Sequence, residues 1–174
     1  TLDDICWTLN LRGDDIDYFP LLLSYAVIKM DSVEFYVDDS KLSEEIKADL
    51  VALNVNIHPY NDIYEDVKAF GEETVLLIDP DKLNYAIYNN FAADVKKVEM
   101  QNPTILMKAI KNPVEVENIR KAQIKDSVAH VRFMKWLKEN VGKIRITEMS
   151  ATDKLDEFRV EMGNFIRPSF EPIS

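Results

Sequence analysis

A helical pattern of about 30 residues, close to 42 Å at the rise of an α-helix, is the feature that most constrains this chain. Asn112-Pro113-Val114-Glu115 reads as a capping box, with Asn112 as the cap, Pro113 in the first turn and Glu115 reaching back. Ile119, Ala122, Asp126, Ala129, Phe133 and Trp136-Leu137 then recur at three- and four-residue spacing, and the pattern stops after Asn140, near Gly142. A helix of that length needs a sheet or a partner helix over its apolar stripe. Thr147 caps a second helix running to about Gly163, with Met149, Leu155, Phe158 and Met162 roughly on one side. Little sequence remains to cover either stripe, which makes the chain read as a piece of a longer protein. The opening without Met and the end at Ser169-Phe170-Glu171-Pro172-Ile173-Ser174 read the same way.

The residues before these helices follow a different rule. Short strand-like runs alternate with helical ones, the pattern of an α/β layer domain. Ile5-Cys6-Trp7-Thr8-Leu9 reads as a strand, Leu22 to Met30 as a second and Val33-Glu34-Phe35-Tyr36-Val37 as a third. A helix from about Ser43 carries Ile46, Leu50 and Leu53 on one face, and Val55-Asn56-Ile57-His58 is a short strand. Asn61 is placed to cap a helix that ends at Gly71. Thr74 to Ile78 is a continuous apolar run suited to the centre of a sheet. Pro80 is placed to open the next helix, Val95 to Met100 is a last strand, and Pro103 leads a short helix.

Charge separates the two parts. Of the 174 residues, which carry a formal net charge of −10, positions 1–107 hold 8 Lys/Arg against 21 Asp/Glu, and 108–174 hold 13 against 10. An acidic first part of net −13 repels phosphates, so nucleic acid is not an expected partner. No apolar run approaches the length of a membrane span. The single cysteine, Cys6, forms no internal bridge and is expected to be a buried, inert thiol, in keeping with a reducing compartment.

Chemistry-bearing motifs are sparse. With four glycines, neither GxGxxG nor GxxxxGK[ST] occurs. His58, before Pro59, reads as a strand end, and His130 as a polar-face residue of the long helix. The acidic loop Arg12-Gly13-Asp14-Asp15-Ile16-Asp17 matches neither the glycine nor the glutamate position of an EF-hand. Its Arg-Gly-Asp triplet is short enough to arise by chance, and a solvated turn is the expectation. No complete catalytic constellation and no metal-ligand set can be assembled from these residues.

Several stretches taken together resemble a known family. Leu2-Asp3-Asp4-Ile5-Cys6-Trp7-Thr8-Leu9-Asn10-Leu11-Arg12-Gly13-Asp14-Asp15-Ile16 is similar to the opening of the middle domain of three-domain aminopeptidase P. Lys108 to Glu115 and Ile119 to Asp126, with Phe133 and Trp136-Leu137, resemble the entry into that family's catalytic domain. Thr147-Glu148, Lys154-Leu155 and Phe158-Arg159 resemble its second catalytic helix, and Pro168 to Ser174 the phrase that leads into the active site. There are departures: Gln123 stands where relatives often carry His, Thr8 replaces a Leu, and His130 takes an often aliphatic position.

The resemblance implies an α/β protein. Residues 1–107 would be a middle, creatinase-N-like mixed sheet flanked by helices, and 108–174 the truncated start of a pita-bread α+β catalytic domain. The implied parent is a cytoplasmic, homodimeric metallopeptidase that removes the N-terminal residue of peptides with proline in second position, usually with two Mn²⁺. Its catalytic residues and metal ligands would all follow Ser174, so the chain itself is expected to be inactive and to bind no metal. One position carries over to substrate binding: Phe170 matches the aromatic that lines the pocket for the substrate's N-terminal side chain, with ordinary core packing as the alternative. Two other readings stand beside this one. One is a non-catalytic binding protein on the same scaffold, to which the acidic first part would attract basic partners. The other is an independent acidic α/β interaction domain.

Overall fold

Strand β2 (Val33–Val37) is the spine of the first half of the molecule. Its side chains alternate between the two faces of a sheet, and both faces are covered: Phe35 and Val37 are fully enclosed on one, Tyr36 on the other. The computed structural model describes residues 1–173; Ser174, the end of the phrase singled out above, lies outside the described residues. Strand β1 (Ser24–Ile28) pairs with β2 antiparallel, and β3 (Val55–Pro59) pairs with it parallel, in the order β1-β2-β3. A second, two-stranded ladder joins β4 (Val75–Ile78) to β5 (Lys96–Glu99) in parallel.

Helices cover the three-stranded sheet on both sides. On the Phe35 face, α1 (Leu2–Thr8) brings Cys6 and α2 (Glu44–Ala52) brings Leu50, packed with Leu22, Leu42 and Val55. On the Tyr36 face, α3 (Ile63–Asp66), the 3₁₀ turn after it and α4 (Tyr85–Asn90) bring Ile63, Val67 and Ile87. A mixed sheet flanked by helices is therefore what the first half forms. Side-chain oxygens cap the helix starts: Ile46 N–H donates to Ser43 Oγ (3.3 Å) at α2, and Ala86 N–H to Asn84 Oδ1 (2.8 Å) at α4. The short α5 (Thr104–Ala109) is tied to α1 by the Lys108 ammonium, which bonds Asp4 Oδ1 at 3.0 Å and also Asp3. Burial raises the Asp3 carboxyl, but its hydrogen bonds with Lys108 and Thr1 outweigh this and hold it at about 2.

Four sequence expectations are corrected. Ile5 to Leu9 is not a strand: Leu2 to Thr8 is helical, because Leu2, Ile5, Cys6 and Leu9 follow a 3.6-residue period, with Asp3 and Asp4 favourably placed at the helix start. Asn61 lies inside a 3₁₀ turn, Tyr60–Asp62, rather than capping a helix. Pro80 does not open a helix. The Asp79 carboxylate accepts from Asp81 N–H (3.2 Å) and the Asp79 carbonyl from the N–H of Lys82 and Leu83, which closes a turn and delays α4 to Tyr85. The Thr74–Ile78 run is not central either, since β4 has one partner strand and leaves Val75 61% exposed.

The second half is helical. Helix α6 (Pro113–Asn140) has the expected capping box: Glu115 N–H donates to Asn112 Oδ1 (2.9 Å), and Asn112 N–H to Glu115 Oε2 (2.8 Å). Helix α7 (Glu148–Glu161) repeats the device with Thr147 and Ser150. By contacts the chain forms two compact units, one of Thr1–Ile16 with Pro20–Ala109, the other of Asp17–Phe19 with the residues from Ile110 onward.

The Arg12–Asp17 loop is held firmly. Arg12 donates to the carbonyls of Cys6 (3.2 Å) and Leu11 (2.7 Å), while Asp15 accepts from Leu23 N–H (2.8 Å) and Lys41 (2.7 Å). The freely solvated turn expected from sequence is thus a clamped one. Gly13 lies where two stretches of backbone meet, and a Cβ there would come within 2.8 Å of the Leu21 carbonyl oxygen and 2.9 Å of Leu22 Cβ. Gly13→Ala is expected to cost about 1–3 kcal/mol of stability, as overpacked sites do, seen as a lower urea midpoint at unchanged slope.

Candidate functional site

Two places gather chemistry-bearing side chains. The first is on the sheet, where pairing sets Glu34 of β2 beside Asn56 of β3 and Tyr36 beside His58. Glu34 is buried and accepts from Lys29 Nζ (2.8 Å) and Asn56 Nδ2 (3.2 Å), and it bonds His58 Nε2 (2.7 Å). The bond from Lys29 and then that from His58 hold the Glu34 carboxyl well below the usual range, at about 2. The His58 ring stacks on Tyr36, with centroids 5.0 Å apart, and Tyr36 O–H donates to Asp66 Oδ2 (3.0 Å). Burial, then that bond to Asp66, push the phenol up. Every oxygen of Glu34 is satisfied from neighbouring strands, so this cluster braces the sheet. His58 is the strand-end residue read from sequence, with a buried carboxylate as its partner.

The second place is in the helical unit. Gly163 (φ +76°) and Asn164 (φ +62°) take left-handed backbone after α7, which turns the chain back across α6 and α7. The returning segment closes a cavity of about 500 Å³ against both helices, lined by Asp126, His130 and Phe133 of α6, Leu155 and Arg159 of α7, and Phe170. Phe170 lies at this cavity and is 65% exposed. Arg159 fixes the floor: its Nε donates to Asp126 Oδ1 (2.9 Å) and its Nη1 to Asp156 Oδ1 (3.0 Å). Burial lowers the affinity of the Arg159 guanidinium for its proton, and the bonds to Asp156 and Asp126 more than reverse that. His130 Nδ1 lies 3.0 Å from the Asp126 carbonyl oxygen, on the cavity wall. Sequence reading placed His130 and Asp126 only on a helix face. Their spacing of four was visible, but not their union with Arg159 and Phe170, which requires the chain reversal at Gly163.

The cavity offers an aromatic rim, a fixed cation and bound carboxylates, a surface suited to holding an organic ligand. Among the described residues no three His, Cys, Asp or Glu side chains converge to hold a metal ion. Cys6 is buried on α1, with Leu22 N–H 3.4 Å from its Sγ.

Residues 1–115 match the model of the creatinase/prolidase N-terminal domain. The chain belongs to this family. Its fold accounts for the mixed sheet between helices. Curated relatives include a probable Xaa-Pro aminopeptidase P of Neurospora crassa, 35% identical over 99% of this chain and 27% of that protein. Another is Xaa-Pro aminopeptidase 1 of Dictyostelium discoideum, 36% identical over 99% and 28%. Among solved structures, an X-prolyl aminopeptidase of Caenorhabditis elegans, described as a cytosolic enzyme with a di-nuclear active site, is 31% identical and superposes with a TM-score of 0.88. That match covers 97% of this chain and 28% of the other. A Xaa-Pro dipeptidase of Bacillus anthracis, at 19% identity and a TM-score of 0.65 over 94% and 43%, shares the fold. The chain thus spans under a third of the length of its aminopeptidase relatives.

The Glu34 cluster of this creatinase/prolidase-type domain has a defined pH signature. A carboxyl held at about 2 when folded stabilises the fold above the unfolded-state value, and that stability is lost as pH falls toward 2. Urea midpoints of the wild type are expected to drop from about pH 4.5 to pH 2. Glu34→Gln is expected to lower the midpoint at neutral pH and to flatten that acid limb.

Proposed function

We propose that this chain is part of a metal-dependent aminopeptidase that removes the N-terminal residue of peptides with proline in second position. The observation that carries the reading is the match to the nematode X-prolyl aminopeptidase, at 31% identity and a TM-score of 0.88 across 97% of this chain. In this reading residues 1–107 are the middle domain, and 108–174 begin the pita-bread catalytic domain. The two metal ions, Mn²⁺ by the family's habit, would be held by residues outside this chain and would supply water activation and carbonyl polarisation. The enzyme would be a cytoplasmic homodimer. What the chain contributes is a binding wall. Phe170, at the rim of the α6–α7 cavity, would receive the side chain of the substrate's N-terminal residue, with Arg159 and Asp126 holding the wall beneath it.

A non-catalytic binding protein on the same scaffold is the second reading, favoured by the net charge of −13 over positions 1–107. Activity separates the two. The full-length protein with Mn²⁺ is expected to release arginine from an Arg-Pro peptide, while the 174-residue chain releases none and gives no Mn²⁺ heat in titration calorimetry. A full-length protein that is folded, loaded with metal and inert would establish the second reading instead. Phe170→Ala in the full-length enzyme is expected to raise KM about tenfold with kcat little changed, the mark of lost uniform binding.

A further inference from the structure

Among the described residues β5 has one ladder partner, β4, which leaves its other edge open. The hydrogen bonds to β4 decide what that edge offers. Lys96 N–H donates to the Thr74 carbonyl (3.3 Å) and Met100 N–H to the Ile78 carbonyl (3.0 Å). Alternation along the strand then turns the N–H and C=O groups of Lys97 and Glu99 outward, away from β4. A row of such groups is a template for another strand. Side chains alternate between the two faces of the ladder. Val98 shares a face with Leu77, its neighbour in register, and both are exposed. Lys97 and Glu99 share the opposite face. The Lys97 ammonium lies over the rings of Tyr88 and Phe91, 5.7 and 5.9 Å from their centroids, and Glu99 is exposed beside it.

We propose that this edge pairs antiparallel with the same edge of a second copy of the protein, about a two-fold axis through Val98. The enzymatic reading does not say where copies meet, and this inference goes beyond it. A two-fold axis normal to a sheet keeps every side chain on its own face, so it passes through a residue and not between two. Charge then selects the residue. An axis at Lys97 would set that lysine opposite its own copy, and an axis at Glu99 would oppose two carboxylates. Like charges directly opposite are destabilising. An axis at Val98 instead sets Lys97 of each copy opposite Glu99 of the other. These are also the residues whose backbone groups point outward, so each such couple exchanges both of its N–H and C=O bonds. The two Val98 side chains meet between the couples, at the closer, non-hydrogen-bonded position. Lysine on an edge strand commonly prevents pairing; here each lysine meets a carboxylate, and the edge is complementary to itself.

The test uses the full-length protein at about 0.15 M salt, where the acidic surplus is screened beyond about 8 Å. Sedimentation is expected to show an assembly of copies that grows with concentration. Lys97→Glu and Glu99→Lys should each weaken that association about tenfold or more, because each sets like charges opposite one another. An equimolar mixture of these variants should restore it, since one copy then carries carboxylates at both positions and the other ammonium groups. Rescue confined to the mixture is a result that misfolding cannot produce. Val98→Cys should form a disulfide between copies on mild oxidation, as Cα atoms at such a position lie about 4.5 Å apart. Val75→Cys, on the same face but away from this edge, should not. A protein that stays a single copy, an assembly indifferent to both charge reversals, or a mixture no better associated than its components would overturn the proposal. Arginine release from an Arg-Pro peptide is read separately, so the pairing and the enzymatic reading can fail independently.

Discussion

Phe35 and Val37 have no exposed surface and Tyr36 between them has 2%, so one short strand supports two hydrophobic cores at once. Each buried side chain of that size contributes about 1.5–3 kcal/mol, and the alternation of β2 sends those contributions to opposite faces. Helices α1 and α2 are held through the first set, and α3 and α4 through the second. A one-residue slip of β2 would turn both cores out at once. The bonds that Asn56 and His58 of β3 make to Glu34 then support the register with β3, since the observed pairing sets both beside it.

The acidic surplus of the first half is used locally. Asp15 ties the Arg12–Asp17 loop to Leu23 and to Lys41, Glu34 joins two strands, and Asp3 and Asp4 meet Lys108 across α1 and α5. These four carboxylates are paired with cations or backbone N–H groups, so their charge is compensated where it stands. In the helical half, Arg159 gathers Asp126 and Asp156, and the cavity with Phe170 is built on that pairing.

Much of the secondary structure is legible in the residues because its causes are local. The boxes at Asn112 and Thr147 depend on groups three residues apart, and both are observed. Val33 to Val37 and Val55 to His58 carry the composition of strands and form them. Where reading failed, a local signal was ambiguous. Ile5 to Leu9 is apolar enough for a strand, and its helical period is visible only when Leu2 is counted with it. Pro80 suits a first helical turn, but the Asp79 carboxylate takes Asp81 N–H and the Asp79 carbonyl takes those of Lys82 and Leu83, which closes a turn instead.

Sequence by itself determined the α/β class of the first half, the two capped helices of the second and the family resemblance, since these rest on periodicity, capping chemistry and ordered motifs along the chain. Tertiary structure alone decided that Val75 to Ile78 is an edge and not a centre, because pairing depends on which strands arrive beside it. It also decided that Phe170 stands open at a cavity with Asp126, His130 and Arg159. Phe170 is far along the chain from Asp126 and His130, and the left-handed turn at Gly163 and Asn164 brings the chain back to join them. Contacts of that kind follow from chain reversal and packing, which no local pattern encodes.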